Sequence, residues 1–167
     1  YIHAIEKKNK YIVNEDVAMG SGNWVTLKRY SNAENNTVDC LSKLKKQGLR
    51  IIATTPHEKD VTLDQLNIDT PFALVFGTEQ EGISKDVFDM ADEFVRIPMY
   101  GFTESFNISV CAALCMYELT GRIRKSKVDY KLTTDEHNEV YLTWLRNSIS
   151  RCDLIEKEFW GKAGINS

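Results

Sequence analysis

The chain is 167 residues long, 43% hydrophobic and 27% charged, which is ordinary for one globular domain large enough to bury a real core. Its formal net charge of −3 excludes a protein that merely blankets nucleic acid, though not one with a local basic face. No apolar run approaches the roughly 18 residues of a membrane span, and no secretory signal opens the chain. Four cysteines without a CxxC, beside three scattered histidines, argue against a zinc site and for reduced thiols in the cytoplasm.

Residues 1–5 read as a strand. A chain that opens in mid-sheet at Tyr1, without an initiator methionine, suggests that something upstream is lost. Residues 6–22 are polar with little periodicity, a loop with a short helix at most. Residues 24–27 are a short strand candidate. Val38, Leu41 and Leu44 recur at helical spacing, with Gly48 as the stop. Strands follow at 49–54, 72–76 and 93–97, the last ended by Pro98. Ser84 can cap a helix to about residue 91. A long apolar helix is expected over 105–122, with Cys111 and Cys115 on one face as core. Strands alternating with helices predict an α/β fold with a mainly parallel sheet.

The tail differs in character. Residues 125–132 form a polar connector. Thr133 and Glu136 make a capping-box pattern. Tyr141, Trp144, Leu145, Ser148, Ile149, Cys152, Ile155 and Phe159 then stripe one long helix. Trp144 and Phe159 suit base stacking, but such a stripe more often packs on the domain or on a partner subunit. The basic clusters Lys7-Lys8-Lys10, Lys43-Lys45-Lys46 and Arg122-Arg124-Lys125-Lys127 are usual solvated surface unless something else selects them.

Two segments carry chemistry. The first, VFGTEQEGIS (75–84), runs from a strand into a loop bounded by Gly77 and Gly82. It is not a P-loop: Ile83 stands where the lysine belongs, and Glu79 and Glu81 would repel a phosphate. No GxGxxG supports a dinucleotide site. The loop offers close backbone approach at its glycines and a carboxylate, Glu79, just past a strand end, where open α/β sheets bind ligands. The second, IPMYGFTESFNISVCAALCMYE (97–118), crowds Glu104, Ser105, Asn107 and Ser109 at the start of an apolar helix. Caps alone need fewer polar groups, and a neutral amide such as Asn107 can orient a sugar hydroxyl.

Together these segments resemble motifs 2 and 3 of the SpoU/TrmH family, a branch of the SPOUT superfamily of RNA 2′-O-methyltransferases. The family patterns are FGxExxGIS and IPMxGxxxSLNVSVAxAxxxYE; Phe106 replaces the usual leucine. Ser21-Gly22-Asn23-Trp24-Val25 resembles the tRNA-directed branch. The likeness covers most of residues 1–122.

The resemblance implies an S-adenosylmethionine-dependent enzyme with a C-terminal trefoil knot, working as a cytoplasmic homodimer on RNA, with guanosine-18 of the tRNA D-loop as target. It implies a methyltransferase domain over 1–124 and a helical extension over 125–167. It places the cofactor against Ala53, Thr54, Gly77, Gly82, Ile97, Met99 and Phe106. Glu79, Ser105 and Asn107 match the family's polar active-site positions, and Arg122, Arg124 and Arg146 would contact RNA phosphates. No metal is implied. The family's motif 1, with its arginine proposed to help deprotonate the ribose hydroxyl, would precede Tyr1. The rival readings are a catalytically incomplete fragment that keeps cofactor and dimer, a ribosomal-RNA enzyme, and a module binding another metabolite.

Overall fold

A computed structural model describes residues 1–6, 20–56, 61–100, 102 and 105–162. The basic cluster at Lys7, Lys8 and Lys10 lies outside the described residues, as do most of the expected polar loop, Gly101 and Glu104. Two compact units form: Tyr30–Tyr130, and the described parts of Tyr1–Arg29 and Lys131–Ser167. The tail thus groups with the N-terminal residues instead of standing alone beyond residue 124.

Within Tyr30–Tyr130, the sheet is built on strand β3 (Arg50–Thr54), whose Ile51, Ile52 and Ala53 are fully buried. A strand apolar on both faces needs cover on both faces, which is the condition of a parallel sheet. Around β3 lie β4 (Val61–Thr62), β5 (Phe72–Val75) and β6 (Glu93–Arg96), in the order β4-β6-β3-β5 with all three pairings parallel. Ile52 faces Leu74 of β5 and Glu93 of β6.

Helix α1 (Asn36–Lys46) turns Cys40, Leu41 and Leu44 inward and packs on β3. Asn35 caps it, its side-chain oxygen accepting from the Thr37 and Val38 amides at 3.1 Å. Helix α2 (Lys85–Met90) packs on α1 and β3. Asp92 ties this face together. Its carboxylate accepts from the Ile51 amide at 2.7 Å and from Lys45 Nζ at 2.6 Å. Burial pushes the Asp92 pKa up, but those two donors outweigh it and leave the carboxyl below its ordinary range.

Helix α3 (Ile108–Lys125) brings Cys115 and Leu119 onto a cluster with Ile52, Leu63, Leu66 and Val95. Leu63 and Leu66 sit in and after a 3-10 turn, Leu63–Gln65. Arg122 of α3 bolts that turn down, donating to the Leu63 and Leu66 carbonyls at 2.9 and 2.6 Å. Neither β4 nor this turn is expected from the sequence.

In the other unit, β1 (Ile2–Ile5) pairs with β2 (Leu27–Tyr30). The strand expected at 24–27 forms three residues later, because Ser21–Trp24 closes a 3-10 turn. Trp24 instead meets Trp144 edge to face, with centroids 6.3 Å apart. Trp144 lies on α4 (Thr134–Ser148), which starts in the expected capping box. The stripe beyond it is not one helix. The chain breaks between α4 and α5 (Cys152–Lys162), with Arg151 at φ 57.

Candidate active site

In a parallel sheet the strands all end on one side, and the ends of β6, β3 and β5 come side by side there. A cavity of about 530 Å³ opens at these ends. Thr54 closes β3, Phe76 and Gly77 follow β5, and Ile97 and Met99 follow β6; all line the cavity. Thr54 is held by its own hydroxyl, which donates to the Val75 carbonyl at 3.0 Å. Ala53, expected at a cofactor, is fully buried within the sheet and forms no part of the wall.

The loop after β5 is a tight hairpin. Thr78 and Gly82 exchange backbone hydrogen bonds of 2.9 Å in both directions. A Cβ on Gly77 would overlap the Gly82 carbonyl and the Ile83 nitrogen. Gly82 has φ +66, the left-handed region. The two glycines therefore answer first to the closure of this loop, and the close approach at Gly77 is one of backbone to backbone. Closure holds Glu79 and Glu81 on the cavity wall. Ser84 precedes α2 as expected, but its hydroxyl caps nothing; Ser84 Oγ is buried without a partner.

The second segment reaches the same place. Helix α3 starts three residues later than the polar cluster suggests, because Asn107 is its cap. Asn107 Oδ1 accepts from the Ser109 amide at 2.9 Å. That fixes the amide, so Nδ2 points outward and donates to Glu79 Oε1 at 2.7 Å. One side chain thus starts the helix and links the two loops. Ser105 and Phe106, just before it, line the cavity, whereas Asn107 does not and meets the cavity wall through Glu79.

Cys111 and Cys115 of α3 form part of the wall. Burial pushes both thiols up, Cys115 to about 12, so they stay protonated and serve as wall, not as nucleophiles. Among the described residues no cluster of histidine, cysteine and carboxylate side chains could hold a metal ion. Arg96, at the end of β6, also lines the cavity. Arg96 is not among the residues the family segments pick out; its signal in the sequence is a charged residue directly before the IPM segment, at a strand end.

The expected RNA-contacting arginines lie elsewhere. Arg122 is committed to two backbone carbonyls and is only partly exposed, which makes it a structural cation. Arg124 is exposed near the end of α3. Arg146, in the other unit, pairs with Glu156 at 2.7 Å.

The SpoU rRNA Methylase family pattern matches residues 2–117. A tRNA (guanosine(18)-2′-O)-methyltransferase of Borreliella burgdorferi is 43% identical over 155 residues, which cover 93% of this chain and 69% of that one. The enzyme of the same name from Aquifex aeolicus is 33% identical, covering 86% of this chain and 66% of its own length. The crystal structure of the A. aeolicus TrmH/SpoU tRNA modifying enzyme superposes with a TM-score of 0.76 at 26% identity, over 89% of this chain and 75% of that one. The chain thus spans about two thirds of the length of these two curated relatives. On that match, and on two family segments meeting at one cavity, the chain belongs to the SpoU rRNA methylase family.

Proposed function

We propose that this chain transfers a methyl group from S-adenosylmethionine to a ribose 2′-hydroxyl of tRNA, at guanosine-18 of the D-loop. Family membership gives the reaction class, RNA methylation, and the names of the two relatives above support the target. The observation that carries the reading is the 2.7 Å bond from Asn107 to Glu79, which joins the family's two loops at the cavity.

The residues present suit the cofactor. The cavity's volume lies within the roughly 300–1,000 Å³ of small-molecule sites. Ile97, Met99 and Phe106 give it apolar walls for a flat base, and Glu79 and Glu81 give it negative charge for a cationic ligand. When bound, S-adenosylmethionine supplies an electrophilic methyl on a positively charged sulfur. Ile97, Met99 and Phe106 would hold its base, and its methyl would then be available to the ribose oxygen. The chain's contribution is alignment, which is worth several kcal/mol of barrier when reacting atoms are held in line. Ser105, exposed on the cavity wall, offers a hydroxyl to the ribose. Asn107 acts through Glu79, holding that carboxylate in one place.

The reading extends to a homodimer. Helix α3 leaves Val110, Leu114 and Tyr117 exposed on one face, with Tyr117 at 82%. An apolar helix face of this kind suits a second copy of the chain. It includes the trefoil knot as well, supported by a segment beyond β6 reaching back to the loop after β5. No helix among the described residues is long and apolar enough to cross a membrane, in keeping with work on cytoplasmic tRNA. Arg124, with Lys125 and Lys127, offers cations to phosphates, and Arg146, in the other unit, would offer one once released from Glu156.

The test is incorporation of tritiated methyl from S-adenosylmethionine into unmodified tRNA. Label in tRNA, absent from ribosomal RNA, is the expected result. Label in ribosomal RNA alone would move the substrate, and label in neither would leave cofactor binding without this activity.

A further inference from the structure

The cavity carries both signs of charge, and they are kept apart. The carboxylates of Glu79 and Glu81 sit on the loop after β5. Arg96 is the last residue of β6, with β3 between the two strands, and it lines the cavity. Neighbouring strands lie about 4.8 Å apart, so the ends of β5 and β6 are about 10 Å apart, and the residues of opposite charge belong to two strands separated by a third.

Arg96 also differs from the arginines that hold this fold together. Arg50 is held by Glu93 at 2.8 Å and by the Asn67 carbonyl at 2.6 Å. Arg122 is spent on the carbonyls of Leu63 and Leu66. Arg96 is exposed, and among the described residues it makes no hydrogen bond or ion pair. Glu79 cannot swing across to it without giving up Asn107. A cation with no partner among the described residues, on the wall of a ligand cavity, has the form of a ligand contact. A guanidinium presents parallel N–H donors that match a carboxylate in two bonds.

We infer that Arg96 receives the carboxylate of the cofactor's amino-acid head. The inference rests on the cofactor reading above and deepens it. A ligand with a cationic sulfur and an anionic carboxylate matches the polarity of the cavity, its sulfur toward Glu79 and its carboxylate toward β6. Arg96 then selects the whole amino-acid conjugate over a bare thioadenosine.

The experiment is calorimetric titration of the intact chain and of Arg96→Gln with two probes. S-adenosylhomocysteine has the amino-acid head; 5′-methylthioadenosine keeps the nucleoside and lacks it. Arg96→Gln should weaken S-adenosylhomocysteine by about tenfold or more and leave 5′-methylthioadenosine within about twofold. Arg96→Lys, which keeps the charge without the fork, should fall between. Retained 5′-methylthioadenosine binding reports that the variant is folded. Equal losses on both probes, or no loss on S-adenosylhomocysteine, would overturn the assignment while leaving the cofactor reading intact. So would a variant that keeps S-adenosylhomocysteine affinity but loses tRNA in filter binding, since Arg96 would then face a phosphate. A wild-type chain that binds neither probe would overturn the cofactor reading and the assignment with it.

Discussion

Replacing Asn107 by Asp isolates the contact that joins the two loops. Aspartate caps a helix about as well as asparagine, so the bond to the Ser109 amide survives. What changes is the other end of the side chain. A donor 2.7 Å from Glu79 becomes a second carboxylate. Two like charges about 3 Å apart repel by about 1.4 kcal/mol in bulk water, and by more where solvent is partly excluded. Both side chains are exposed, so the lower figure governs. The lost hydrogen bond, exposed to water and so at the ordinary value, adds about 1 kcal/mol. Asn107→Asp should therefore cost about 2 kcal/mol in urea unfolding at neutral pH, together with affinity for S-adenosylhomocysteine. Glu79→Gln restores a donor opposite the new carboxylate. The double variant should return to within about 0.5 kcal/mol of wild type, a coupling well above the additivity error of distant sites. Losses that simply add would show that the two side chains do not act as a pair, and the linkage of the two loops would fail as an account of the site.

Other expectations follow from single contacts. Gly77→Ala should abolish S-adenosylhomocysteine binding, because the added methyl meets the Gly82 backbone, whereas Gly121→Ala, with open space at its Cβ, should stabilise α3 by about 0.5–1 kcal/mol in thermal unfolding; normal binding by Gly77→Ala would refute the loop geometry. Arg122→Met should lower stability by about 1.5–3 kcal/mol by freeing two carbonyls, and salt should not rescue it, as it would an RNA-contacting surface charge; a change confined to tRNA affinity would restore Arg122 to the RNA face. Cys115 should resist a disulfide reagent at pH 8 until the chain unfolds, since its thiol is pushed up to about 12; fast labelling of the folded chain would contradict the burial that causes the shift.

The parts of this fold that were legible are those where local chemistry and tertiary demand agree. The apolar run of β3 had to be buried on both faces, and Ile51, Ile52 and Ala53 are, with β5 and β6 as its parallel neighbours. Thr133 and Glu136 build their capping box without help from elsewhere. The two family segments were readable as a site because glycine, carboxylate and amide are placed for function, against the apolar trend around them. The misses have a common cause in distant partners. Trp24 looks like strand but serves the packing of Trp144, far along the chain. The Leu63–Gln65 turn has little local pattern and is held by Arg122 from α3. Ser105 and Phe106 look like the first turn of α3, yet the helix waits for Asn107, whose amide must also face Glu79. The break before α5 interrupts a continuous apolar stripe with neither glycine nor proline to announce it.

The central claim is a methyl group placed on a ribose oxygen of one nucleotide. It is tested most directly by offering the chain and tritiated S-adenosylmethionine a pair of tRNAs that differ at guanosine-18 alone, one with ribose there and one with 2′-deoxyribose. The account expects label in the first, recovered as 2′-O-methylguanosine, and none in the second. Equal label in both would place the methyl elsewhere and contradict it.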